Sequence, residues 1–238
     1  MQRLFSSVAA MAAIVAFCFP ISALAQAKPT RHLVYDYTVG TKSDSISDNN
    51  EIATGAATSD LGGSGSDSGQ IIVDISGVEP DGGLVLAVSE TSRSNHSAKP
   101  ATCVVYSNTN VVCGAGDVHP EEMSVIRTLS PKFFDASNLD AHRHWQVSNA
   151  AAGVTIDFTA TPNADGTSLG IVSERHEKAS NGNTVDAEGK YSYDTAKLIP
   201  TSLSEYQTVR QQNGAGAYTT IIIDVTAKLA SDSGLGKS

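Results

Sequence analysis

Thr184–Asp194, TVDAEGKYSYD, alternates with a period of two. Val185, Ala187, Gly189, Tyr191 and Tyr193 fall on one side, and Thr184, Asp186, Glu188, Lys190, Ser192 and Asp194 on the other. An extended backbone sends successive side chains to opposite faces, so this is a strand with one apolar face and one face that meets water. The same rhythm continues in both directions. Upstream, Val154, Ile156, Phe158 and Ala160 share a face, the turn TPNADG (161–166) follows, Leu169 and Ile171 continue on the next strand, and SNGN (180–183) leads into Thr184. Downstream, Pro200 precedes a strand over Thr201–Gln211. QNGAG (212–216) then introduces a last strand, in which Ile221, Ile223, Val225, Ala227 and Leu229 oppose Thr220, Asp224, Thr226 and Lys228. Glycine, asparagine and proline clusters between alternating runs mark turns by their backbone preferences.

The first half reads alike. Leu33, Tyr35, Tyr37 and Val39 alternate with His32, Asp36 and Thr38. Thr54–Gly69, TGAATSDLGGSGSDSG, has no apolar period and is expected to be a loop. Ile71, Val73 and Ile75 then pair through the VEPDGG turn (78–83) with Leu84, Leu86 and Val88 as a hairpin. The pattern breaks at HPEEMSVIRTLSP (119–131). Pro120 suits the first helical position, Glu121 and Glu122 complement the dipole, Met123, Ile126 and Leu129 share a face, and Pro131 stops the run. This predicts one short helix over residues 120–129, followed by a connection whose Phe133, Phe134 and Leu139 are core. No strand alternates with a helix as a parallel sheet requires. The fold expected is mainly β: an antiparallel meander of about ten strands, forming a curved sheet, half-barrel or barrel, with one short helical insertion.

CVVYSNTNVVC, Cys103–Cys113, places two sulfurs on a short hairpin. Centred on Asn108, the hairpin sets Cys103 opposite Cys113, Val104 opposite Val112 and Val105 opposite Val111. Directly opposed residues of a non-hydrogen-bonded pair stand at the separation a disulfide needs. The spacing is not Cys-x-x-Cys, and no second pair of Cys or His stands near to complete a zinc site. Compartment agrees with a disulfide. Met1, Gln2 and Arg3 precede an uncharged apolar run, Leu4–Ile21, with small-residue cleavage signals at Ala23–Ala25 and Ala25–Ala27. Residues 1–27 therefore read as a signal peptide that takes Cys18 with it, and residues 28–238 as a single β-rich domain, secreted or periplasmic.

The chain has 16 basic and 25 acidic residues, a formal charge of −9, and loss of Arg3 leaves 15 against 25, or −10. Such a balance argues against nucleic acid as a partner and against charge-driven adhesion to anionic lipid. After residue 27 no apolar run is long enough to cross a bilayer as a helix. Catalytic motifs are missing. There is no Gly-x-Ser-x-Gly elbow and no His-Glu-x-x-His, and GGSGSDSG (62–69) matches a calcium nonapeptide only once, without stacked neighbours. Asn95-His96-Ser97 fits a glycosylation triplet. His119 is read as a helix-flanking residue, and no cofactor or metal is assigned.

Two functions of different class follow. Meandering strands, a helical insertion able to cover an open end and a leader resemble, in layout, the half-barrel of bacterial lipoprotein carriers. That implies a non-enzymatic binding or carrier module for an apolar small molecule or lipid, with Tyr35, Tyr37, Trp145, Tyr191 and Tyr193 as its lining. Ordinary core packing explains the same five residues equally simply. The alternative is an exported hydrolase using Asp140, His142 and His144, which share one side if that segment is extended. A surface domain acting through protein contacts has the same sequence signature as the carrier.

Overall fold

The computed structural model describes residues 30–47, 63–93, 99–114, 116, 118–129, 142–164, 166–214 and 217–234. The expected leader, the Phe133, Phe134 and Leu139 connection, Asp140 and the Asn95–Ser97 triplet lie outside them. The first five strands are β1 (Arg31–Ser47), β2 (Ser64–Val78), β3 (Leu84–Ser92), β4 (Ala101–Val105) and β5 (Val111–Cys113). Helix α1 (Pro120–Arg127) follows. The remaining strands are β6 (His144–Asn149), β7 (Val154–Pro162), β8 (Ser168–Lys178), β9 (Thr184–Asp194), β10 (Ile199–Gly214) and β11 (Ala217–Asp232).

All eleven strands join one antiparallel sheet in the order β5-β4-β3-β2-β1-β11-β10-β9-β8-β7-β6. Each neighbouring pair but one is a hairpin of consecutive strands. The exception is central: β1 pairs with β11, matching Leu33 with Asp232 at one end and Ser47 with Ala217 at the other. The sheet is therefore not closed, and its two edges, β5 and β6, are consecutive in the chain with α1 between them. One cavity of about 190 Å3 is lined by Asn108 and Val111 from the β5 side and by Asn149 and Val154 from the β6 side. Residues at opposite ends of an eleven-stranded sheet meet around one space only if the sheet curls.

Alternation decides which face is inside. Leu33, Tyr35, Tyr37 and Val39 of β1, Ile71 and Val73 of β2, and Ile223, Val225 and Ala227 of β11 are all buried in one continuous apolar cluster. The cluster extends to Cys103 and Val105 near one edge and to Trp145 near the other. On β9, Ala187, Tyr191 and Tyr193 are buried while Asp186, Glu188 and Lys190 face water, as their alternation requires.

The eleven strands agree with the expected meander of about ten and its one short helix. Two details differ. Ser64–Gly69, read as loop, is the first part of β2 and pairs with β1 from Lys42↔Ser64 to Tyr37↔Gly69. Backbone hydrogen bonds to a partner strand outweigh the weak strand preference of glycine and serine, and Gly69 has a steric reason to be there: a Cβ would lie 1.9 Å from the Thr91 carbonyl oxygen. The helix closes at Arg127 rather than at residue 129. Thr128 and Leu129 donate their N–H groups to the carbonyls of Val125 and Ile126, three residues back, in a tightened last turn.

The Cys103–Cys113 disulfide forms in the expected register, with Val104↔Val112 and Val105↔Val111 beside it. It staples the β4–β5 edge. Replacing both cysteines by serine is expected to lower stability by about 3 kcal/mol, the loop-closure value for a ring this short, read as a shift in denaturant midpoint.

A second tie acts at the centre. The Arg31 guanidinium donates to both Asp232 oxygens at 3.0 Å and to the Lys197 carbonyl at 2.8 Å, joining the start of β1, the end of β11 and the β9–β10 turn. The hydrogen bonds from Arg31 hold the Asp232 carboxyl below its usual range. A depressed native value means that the stabilisation is complete above about pH 4, the unfolded aspartate value, and fades as pH falls through the native value. Asp232→Asn is expected to cost on the order of 3 kcal/mol at neutral pH. In urea titrations at decreasing pH, the gap between variant and parent should close.

Candidate functional site on the covered face

The buried face of the sheet is apolar except for a few charged or amide residues standing in phase with the apolar ones. Glu90 follows Leu84, Leu86 and Val88 on β3; Arg175 follows Ile171 and Ser173 on β8; Glu205 and Gln207 follow Leu203 on β10. All are buried. A buried charge is tolerated when paired and hydrogen-bonded, so each marks a place where the fold has built a polar partner. Helix α1 supplies part of both.

The first group surrounds the start of α1. Glu90 accepts a short hydrogen bond from the Tyr37 hydroxyl through Oε1 and stands 3.0 Å from His119 Nδ1 through Oε2. Glu122, 1% exposed, accepts from the His119 backbone N–H at 2.9 Å and caps the helix. Glu121 holds its carboxylate 3.7 Å from the imidazole. Burial opposes the imidazolium, but the Glu90 hydrogen bond and the charges of Glu121, Glu90 and Glu122 outweigh it and raise the His119 pKa. Burial pushes the carboxyls of Glu121 and Glu122 up, and burial together with the Glu90 hydrogen bond does the same to the Tyr37 phenol.

The second group flanks the other half of the helix. Arg175 bonds Glu205 at 2.6 Å and makes a short contact with Glu177. Gln207 donates to Glu205 at 2.9 Å and to Ser124 Oγ on the helix at 3.2 Å. Arg127, in the last helical turn, pairs with Glu177 at 3.1 Å. Burial works against the Arg175 cation, yet the charges of Glu205 and Glu177 raise its pKa; Arg127 is lowered by burial and by the like charge of Arg175. Tyr191 reaches Glu205 at 3.3 Å and Ser173 at 3.1 Å. The helix thus lies on the sheet through the apolar side chains of Val125, Ile126 and Leu129, and is pinned by His119–Glu90, Ser124–Gln207 and Arg127–Glu177.

The five aromatic candidates all lie on this face, but apart from one another. Tyr35 donates to the Pro200 carbonyl at 3.1 Å, and Tyr193 stands beside it in the register Pro200↔Tyr193. Tyr37 belongs to the first polar group and Tyr191 to the second. Trp145 stacks on Phe158 near the β6 edge, with ring centroids 4.8 Å apart and planes 12° from parallel. Of the hydrolase candidates, Asp140 lies outside the described residues. His142 is an exposed turn residue, and Arg143 has φ +58, so the segment is not extended and the same-side argument for His142 and His144 fails. His144 opens edge strand β6 and lies 3.4 Å from Asp157 of β7.

The sequence marks His119 and Glu121 only as residues of a helix start and Glu90 not at all, yet the three place one ligand atom each within 4.8 Å of one another. Glu205, Gln207 and Arg175 escaped in the same way. The available signal was phase: a charged residue at the parity of an apolar strand face.

The chain matches no protein-family model and no curated protein. Among solved structures it is similar to one titled lipid-protein interactions in lipovitellin, with a TM-score of 0.47 and 8% identity over 90% of this chain. It spans 26% of that protein's length, and a likeness of this order carries no argument about function.

Gly189 makes the second group possible, because a Cβ there would fall 2.1 Å from the Tyr191 hydroxyl oxygen and 2.5 Å from Ser173 Oγ. Gly189→Ala is expected to cost about 1–3 kcal/mol, the usual penalty of overpacking. Adding Tyr191→Phe, which removes the clashing oxygen, should recover part of that loss in the same unfolding measurement.

Proposed function

We propose that this protein is an exported, non-enzymatic binding module that takes an elongated apolar ligand onto the curled inner face of its sheet when α1 lifts away. One observation carries this: an open eleven-stranded sheet has a continuous buried apolar face and, among the described residues, a single eight-residue helix lies on its centre, over β1, β11 and β10, held partly by three polar pins. The disulfide and the leader-like first 27 residues support an oxidising compartment outside the cytoplasm. Tyr35, Tyr191 and Tyr193 lie on the face that lifting would open.

The energetics state what the ligand must be. Exposing Val125, Ile126 and Leu129 costs roughly 1.5–3 kcal/mol each, so the covered state dominates without a ligand. A ligand can shift that balance only by what it gains in the open state alone. At about 0.8 kcal/mol per buried methylene, a chain of on the order of ten methylenes returns the apolar part of that cost, which points to an acyl-chain lipid or a comparable hydrocarbon.

A second reading rests on the interior itself. Beneath α1, the cavity lined by Ser124, Arg127, Phe158, Arg175, Tyr191 and Glu205 holds only about 20 Å3, room for a single water. A filled interior suits a surface domain that acts through protein contacts.

Organic extraction of protein purified from its native compartment, with mass spectrometry of the extract, separates the two. The carrier predicts a co-purifying apolar molecule and saturable uptake of a fluorescent fatty acid. Ser124→Ala with Arg127→Ala, which removes two pins and leaves the apolar face intact, should raise the uptake rate by about tenfold for each 1.4 kcal/mol of holding energy lost. An empty extract, with no uptake by parent or variant, rejects carriage.

A further inference from the structure

The polar group at the start of α1 has the chemistry of a metal centre. Two buried carboxylates and one imidazole converge there: Glu90, 5% exposed, from β3; His119 from the residue before the helix; and Glu121, 6% exposed, from its first turn. Their ligand atoms lie within 4.8 Å of one another, and a tetrahedral ion with bonds of about 2.0–2.2 Å needs its ligands about 3.3 Å apart. His119 Nδ1 and Glu90 Oε2 stand at 3.0 Å, so a shift of a few tenths of an ångström admits an ion between them.

Glu121 completes the set. Its buried carboxylate, which also accepts from its own backbone N–H, stands 3.7 Å from the imidazole and has no other ion-pair partner among the described residues. Glu122 serves a different purpose, since it is engaged with the His119 backbone N–H.

We propose that Glu90 Oε2, His119 Nδ1 and Glu121 bind one zinc ion, with the fourth position open to water. Donor type selects the metal: one nitrogen and two oxygens suit zinc, whereas calcium requires six to eight oxygens. The surrounding shell is in place. Tyr37 donates to Glu90 Oε1 and leaves Oε2 free to face the ion, and the Glu122 bond fixes the backbone that presents His119. The His119 side chain is 36% exposed, which gives the ion a way in from solvent. Binding displaces the Nδ1 proton to solvent and replaces the His119–Glu90 hydrogen bond with three coordinate bonds. The ion then joins β3 to the N-terminus of α1 as it is seated here, and the site stands on this geometry without the carrier reading.

The test uses the full mature protein, stripped with chelator and titrated with zinc by calorimetry, with cobalt as a spectroscopic substitute. Expected are one zinc per chain, a tetrahedral cobalt spectrum and a zinc-dependent rise in Tm. Glu121→Gln and His119→Gln should each weaken binding at least tenfold, and Tyr37→Phe by about 10- to 100-fold while keeping one site per chain. His144→Ala, at a half-exposed histidine of β6 away from the helix start, should change nothing. Circular dichroism identifies any variant that fails to fold, and the Glu121→Gln affinity is then decisive, since glutamine keeps the shape and removes the charge. No saturable zinc binding by the parent overturns the proposal. So does zinc binding that survives Glu121→Gln and His119→Gln at unchanged affinity, or that is lost in His144→Ala. Preference for calcium over zinc overturns it as well.

Discussion

Pairing of the first strand with the last is the constraint from which the rest of the molecule follows. Arg31–Ser47 and Ala217–Asp232 run side by side through the middle of the sheet, about 200 residues apart in the chain. Every other pairing is a local hairpin, so the chain is two meandering arms, β1–β5 and β6–β11, joined along one long seam. Local hairpins close cheaply, whereas the seam must overcome the entropy of a loop spanning nearly the whole chain. Its length is the compensation, since many paired residues and a buried Arg31–Asp232 pair act together once it forms. With β1 and β11 at the centre, the gap in the sheet falls between β5 and β6, where α1 lies.

That arrangement explains what was legible from residues alone. Strand alternation is a local property, and Val185–Tyr193, Leu33–Val39 and Ile223–Ala227 announce their buried faces without knowledge of any partner. The disulfide register was legible because Cys103 and Cys113 belong to one hairpin. Strand order was not, because nothing in Arg31–Ser47 names Ala217–Asp232 as its neighbour. Ser64–Gly69 was misread for the same reason: its extended form comes from β1 alongside, and its glycine answers to the Thr91 carbonyl of β3, both of which are tertiary facts.

The site was hidden by a different route. Glu90, Arg175, Glu205 and Gln207 occupy strand positions whose parity is apolar, and local patterning treats each as an interruption. Their partners come from afar: His119 lies 29 residues from Glu90, and Ser124 lies 83 from Gln207. The aromatic candidates show the converse. Tyr35, Tyr37, Trp145, Tyr191 and Tyr193 are conspicuous in sequence, and the fold uses them as packing and as hydrogen-bond donors to groups the sequence did not mark.

Burial of polar groups on an otherwise apolar face also bears on why α1 is held as it is. Apolar contact through Val125, Ile126 and Leu129 gives the helix most of its adhesion but little direction, since one oily surface resembles another. Polar pins supply the direction. His119–Glu90 at one end, Ser124–Gln207 in the middle and Arg127–Glu177 at the other favour one placement, because displacement takes the His119 partner from the buried Glu90 carboxylate and the Ser124 partner from the buried Gln207 amide. Apolar contact therefore sets how firmly the helix is held, and the pins set where on β3, β8 and β10 it comes to rest.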